Sequence, residues 1–239
     1  MILYLTLGLC ALGAATLVYR YDLYDREPKA ALAAAVGLGA LAMALAGQVE
    51  AAIFGTFAGA GPVGLAAVAS GVEETLKLLV VGLMALAARR VFNDPMDGLI
   101  YGSMAGLGAA LEEGTAVLRS AGLQAWTVAW LPPEELVRLC GHLVFGGVGG
   151  FGVGRARLRQ PGWPWALAGG FVAALSLHFG WDWIALRRES MVAGTQPEVF
   201  LAAGLMLAGL VLYGRLVIVA SSWSQRLFSP GVVRRLGAG

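Results

Sequence analysis

Seven long apolar runs, each ended by charge or proline, account for most of this 239-residue chain. They fall at roughly residues 2–20, 30–57, 63–89, 97–119, 135–154, 164–186 and 197–220. A helix rises ~1.5 Å per residue, so about 20 apolar residues cross ~30 Å of hydrocarbon. Each run is long enough, and the chain is expected to be all-α. The expected architecture is a polytopic membrane helix bundle of about seven transmembrane helices, with eight as the alternative count. The second run could bend near Gln48 and Glu50. Pro28, Pro62, Pro95, Pro133, Pro164 and Pro197 stand at or near the predicted helix starts, where proline is tolerated. No internal repeat or soluble segment interrupts the series, so residues 1–239 read as one membrane domain.

Composition narrows the class further. Hydrophobic residues make up 58% and charged residues 13%, with a mean hydropathy of +0.73. Soluble domains carry about 25% charged residues. Disorder, nucleic-acid binding and an ordinary soluble fold are therefore excluded, and the net charge of +2 implies no anionic partner. Residues 2–19 lack the basic n-region of a signal peptide and read as an uncleaved first span. Cys10 and Cys140 sit in separate apolar stretches and suggest neither a disulfide nor a zinc-thiolate site.

Basic residues near span ends set the orientation. One side would carry Arg20, Arg26, Lys29, Arg89, Arg90, Arg155, Arg157, Arg159, Arg226, Arg234 and Arg235. The other would carry Arg119, Arg138, Arg187 and Arg188. The N-terminus is thus expected outside and the C-terminus in the cytoplasm.

Ionisable residues inside spans are costly and usually mark a pathway or a site. Here they are few: Glu73, Glu74 and Lys77 in span three, Glu112 and Glu113 in span four, His142 in span five, His178 and Asp182 in span six. His142 and His178 are the only histidines. Counted from the outer ends of their spans, Glu73 lies about 16 Å deep, Glu113 about 9 Å, His142 about 6 Å and His178 about 14 Å. Four helices thus place acids or histidines in one half of the bilayer.

Each piece has a plainer explanation. Glu74 and Lys77 could be a simple ion pair, three apart on one helix face. Asp182 could serve only to orient His178, and Glu112 and Glu113 could face water at a helix end. The conjunction points to a single buried site.

Its chemistry is limited. No Ser-His-acid arrangement, HExxH, CxxC or phosphate loop is present, and no nucleotide or organic cofactor is expected. Carboxylates with two histidines can activate water, directly or through a bound metal. That suits amide hydrolysis. The alternative is an ion- or proton-coupled transporter or channel using the same acids. Separately, Gly102 and Gly106, and Gly146, Gly150 and Gly154, recur every four residues and predict close packing of spans four and five.

The motifs together resemble a known family. YRYDLYDREPKAAL from Tyr19 resembles the acidic-basic-proline stretch after the first span of PrsW-type intramembrane proteases. GVEETLKLL resembles their EExxK motif, and DGLIYGSMAGLGAALEEG resembles their DGxxYGxxxGxGFAxxEN motif. GHLVFGGVGGFGVG from His142 and SLHFGWDW around His178 resemble their two later histidine motifs. The resemblance runs over residues 19–183, within a motif-bearing core of about 19–190. The family is related to the CAAX-processing and bacteriocin-processing membrane proteases.

The resemblance implies an endopeptidase acting on a membrane-anchored protein, such as an anti-sigma factor, cut on its extracytoplasmic side. It implies a location in the plasma membrane of a bacterium or archaeon, with the lipid bilayer and the protein substrate as partners and no nucleic acid. By position, Glu73, Glu74, Glu113, His142 and His178 form the catalytic set, with Lys77 and Asp182 in support. Glu73 or Glu74 would activate or coordinate the water. A metal, with Zn2+ as the candidate, would be held by Glu74, Glu113, His142 and His178; the same groups could equally hold a water without metal. The pattern is broken at Gly114, where the family has Asn, and at Ala109, where it has an aromatic residue. Asp182 stands in the HxxxN-like slot after His178.

Overall fold

The computed structural model describes residues 2–22, 25–56, 61–120, 131–190 and 196–228. These residues form seven helices: α1 (Ile2–Tyr21), α2 (Lys29–Thr56), α3 (Gly61–Ala87), α4 (Pro95–Ser120), α5 (Pro133–Arg157), α6 (Trp163–Ser190) and α7 (Gln196–Phe228). No strand occurs among the described residues. Every predicted span is a helix, and α2 runs unbroken past Gln48 and Glu50. The six prolines stand in or just before first turns. Arg234 and Arg235 of the basic set lie outside the described residues, as does the side chain of Arg188.

Four helices are long and apolar enough by themselves to cross a membrane: α1, α2, α5 and α7. The other three, α3, α4 and α6, carry Glu73, Glu74, Glu112, Glu113, Asp182 and His178. α1, α2 and α7 leave most of their surface uncovered, with Leu5, Leu9, Leu41, Leu207 and Ile218 exposed. In a bilayer such side chains meet lipid rather than water. α5 is the opposite case, its glycine-rich half being buried from Val144 to Gly154.

The α4–α5 pairing is the most extensive in the molecule. Glycine allows it. A Cβ on Gly102 would strike the carbonyl oxygen of Gly146, one on Gly98 that of Gly150, and one on Gly106 that of His142. Backbone meets backbone at each point, so even alanine would force the helices apart. This is the small-residue packing expected in lipid, where burial from water gives no drive to helix association. α2 crosses α4 in the same way, Gly39 against Ala105 and Gly108 against Val36. The core that results holds Leu99, Ile100, Tyr101, Met104 and Leu107 of α4 against Val81 and Met84 of α3. The Gly106–His142 contact fixes the α5 backbone at a residue whose side chain enters the polar cluster.

Candidate active site

α3, α4, α5 and α6 bring their polar residues to one place. Glu73, Glu74 and Lys77 are 6%, 3% and 3% exposed, and His142 and His178 are 3% and 1% exposed. Successive residues on a helix point about 100° apart, so Glu73 and Glu74 face different neighbours.

Glu74 faces Lys77 one turn on. Lys77 Nζ donates to Glu74 Oε1 at 2.5 Å. The same Oε1 lies 2.7 Å from His178 Nδ1, within hydrogen-bond distance. Lys77 Nζ also lies 3.1 Å from His142 Nδ1. The expected i, i+3 ion pair is therefore present and is also tied to both histidines.

Glu73 faces the space between the imidazoles. Its Oε2 lies 3.6 Å from His178 Nε2 and 4.0 Å from His142 Nδ1. That oxygen is buried and has no hydrogen-bond partner. The two rings stand 5.0 Å apart at 73°, with Phe145 stacked on His178 at 5.2 Å.

The rim is acidic. Glu113 Oε2 lies 2.8 Å from His142 Nε2, and Asp182 Oδ1 lies 3.5 Å from His178 Nε2. Glu113 and Asp182 side chains are 29% and 20% exposed, so this side is the more open. None of these contacts involves Glu112.

One ligand atom each from Glu73, His142 and His178 lie within 4.8 Å of one another. The donor set suits a divalent metal of the zinc class. The outer contacts suit it too, because a ligating histidine usually gives its other nitrogen to a carboxylate. His178 Nδ1 is on Glu74, and His142 Nε2 is on Glu113. Within the set expected from sequence for a metal, the two histidines converge with Glu73. Glu74 and Glu113 instead flank one histidine each.

Three residues of the site were not singled out in the sequence. Arg138, counted there only for orientation, donates Nη1 to Glu113 and Nε to Glu135 Oε2 at 3.1 Å. Its spacing from His142, i to i+4, was the available signal. Glu50 of α2 has Glu113, Asp182, His178 and Lys77 as charged neighbours, and its Oε1 is buried without a hydrogen-bond partner.

The stretch after α1 and the start of the DGLIYGSMAGLGAALEEG motif lie at the other end of the bundle. Asp22, Glu27, Asp94 and Asp97 are buried there as an acidic clasp. The Tyr101 hydroxyl donates to Glu27, and Ser224 Oγ donates to Asp94 Oδ1 at 2.5 Å. Asp97 Oδ2 accepts the backbone N–H groups of Asn93 at 2.6 Å and Asp94 at 2.7 Å, capping α4. The stretch after α1, the start of α4 and the end of α7 are thus tied together.

No curated protein and no solved structure matches this chain. A sequence model described as PrsW family intramembrane metalloprotease matches residues 27–219. That match takes in both ends of the bundle, from Glu27 of the clasp through all four helices that build the site. With an apolar helical bundle around a buried Glu-His-His group, it leads to one conclusion: the chain belongs to the PrsW family of intramembrane metalloproteases.

Proposed function

We propose that Glu73, His142 and His178 bind a zinc-class ion and that the site hydrolyses a peptide bond of a membrane-anchored protein. The observation that carries this reading is the convergence of those three side chains on a buried Glu73 oxygen that has no other partner. Such an ion, when bound, acts as a Lewis acid and brings the pKa of bound water to about 7. The protein's own groups do the rest. Glu74 fixes the His178 ring through Nδ1 and takes its counter-charge from Lys77. A metal would need His142 Nδ1, the nitrogen that faces Glu73, so Lys77 must release it. Asp182, with Oδ2 unpaired at the more open rim, carries protons between the attacking water and the leaving amine.

The whole chain, 1–239, acts as one protease domain in this reading. The N-terminus lies outside and the C-terminus in the cytoplasm of a bacterial or archaeal plasma membrane. The basic set at one end of the helices supports that orientation, which opens the site to the extracytoplasmic half of the bilayer. An anti-sigma factor is the substrate class carried by the resemblance.

The test is metal content of detergent-purified protein, wild type beside His142→Ala/His178→Ala. Near-stoichiometric zinc is expected in the wild type and none in the double variant. Wild type that cleaves while free of metal would overturn the metal assignment in favour of water activated by Glu73 alone.

A further inference from the structure

Gly114 is where α4 departs from the family pattern, which has Asn after the glutamate. The space is filled from α5. A Cβ on Gly114 would lie 2.5 Å from Glu135 Oε2, with Leu7 Cδ2 next at 3.4 Å. Glu135 is 2% exposed, an unusual depth for a carboxylate one turn into a helix. Its charge is answered by Arg138, which donates Nε to Oε2 at 3.1 Å and Nη2 to Oε1 at 3.4 Å. The remaining arm of the guanidinium reaches across to Glu113 Oε1. The other oxygen of Glu113 is the one 2.8 Å from His142 Nε2.

A continuous chain of contacts therefore runs from the empty side of Gly114 to the imidazole. The guanidinium is planar and its donors are fixed in direction, so it sets both carboxylates at once. Lysine, a point charge on a flexible stem, would not. A plain interhelical ion pair is the simpler account. However, α4 and α5 are already locked by backbone contacts at Gly98, Gly102 and Gly106, and need no ion pair to hold them.

We infer that Glu135 and Arg138 are positioning residues that hold Glu113 against His142, filling the place the family pattern gives to asparagine. The inference rests on the reading of His142 as part of the site. Gly114 is then required to be small for a functional reason. A Cβ there collides only with the far end of a flexible glutamate and meets Leu7 at ordinary contact distance, so a side chain would move Glu135 off Arg138 without breaking the fold.

The chain has two histidines, so ring 15N spectra of histidine-labelled protein in detergent can be assigned with one His142→Gln variant. Glu135→Ala, Arg138→Ala and Gly114→Asn should each move the His142 ring signals by several ppm and leave those of His178 in place. Arg138→Lys should not rescue. Gly114→Asn combined with Glu135→Ala should bring His142 back toward wild type, because the asparagine then occupies the vacated space. Zinc affinity should follow the same order, about tenfold weaker in the single variants. Unchanged His142 signals in Arg138→Ala, or a double variant no nearer wild type than its parents, would overturn the inference. If Arg138→Ala does not fold, Gly114→Asn decides the question alone. Wild type that binds no zinc would remove the metal reading, while the ring shifts would still report on positioning.

Discussion

The two ends of the bundle each bury several carboxylates, and they treat them in opposite ways. In the clasp, Asp22 Oδ2 accepts the Glu27 backbone N–H at 2.7 Å, and Asp94 Oδ1 accepts the Met96 N–H at 2.8 Å and the Ser224 hydroxyl. Glu27 and Asp97 are bonded in the same manner, and no buried clasp oxygen lacks a partner among the described residues. In the site, Glu50 Oε1, Glu73 Oε2 and Asp182 Oδ2 have no hydrogen-bond partner. Glu73 and Glu74 are buried as the clasp acids are, so depth alone does not separate the two ends. Satisfied polar groups join helices, whereas unsatisfied ones keep room for something else. An unpaired buried polar group costs about 1–3 kcal/mol, and the site sustains several.

This contrast predicts a double dissociation. Glu73→Gln should lower cleavage of a membrane-anchored substrate by about 10²- to 10⁴-fold, the range for losing a group that handles the reacting water. Its unfolding temperature should not fall, because a neutral amide replaces a buried carboxylate whose Oε2 has no hydrogen bond to lose. Tyr101→Phe should do the reverse. It strips Glu27 of its buried donor, so stability should drop by about 2 kcal/mol while turnover per folded molecule stays near wild type. Tryptophan fluorescence during heating and a single-turnover cleavage assay read the two quantities separately. If Tyr101→Phe impairs turnover as strongly as Glu73→Gln, the two ends are coupled and the comparison fails.

The fold was readable because in lipid an apolar run long enough to cross is already a helix. The helix ends were less so. α7 runs on to Phe228, past the expected limit near 220, because its serines do not end it. Ser222 and Ser224 bond back to the carbonyls of Val219 and Ala220, and Ser224 also meets the clasp. At the site, depth counting brought the right four helices together. It could not say which way each side chain points, so Glu73 and Glu74 stayed interchangeable until their partners were seen. Arg138 was hidden for a different reason. A cation near a helix end looks like a topology signal, and its role depends on Glu113 lying 25 residues earlier. The clasp had no legible task in the sequence, because its members come from two loops and two helices that only tertiary packing joins.

The smallest expected effect concerns pH and the clasp. Burial raises the Asp22 carboxyl from 3.8 to about 6, opposed by its hydrogen bond from the Glu27 N–H and reinforced by Asp94 and Asp25. Burial also pushes Glu27 and Asp94 above the usual carboxylate range. Among the described residues, Arg26 is a cation near Asp22 that opposes its shift, and it is exposed, lying over the Tyr19 ring at 5.6 Å. The sign follows from linkage. Between about pH 4 and pH 6 the folded chain keeps a proton on Asp22 that the unfolded chain has already released, so stability falls as pH rises through that window. A hydrogen-bonded carboxylate with a depressed pKa would give the opposite slope. Other groups titrate in the same range, so the informative quantity is the difference between wild type and Asp22→Asn, taken as unfolding temperature in detergent from pH 4 to 7. That difference should grow as pH rises and level off above about 6, with Asp22→Asn the more resistant at neutral pH. A constant difference across the range would mean that Asp22 is as free to ionise in the clasp as in the unfolded chain. The clasp would then be held by hydrogen bonds to carboxylates that stay charged.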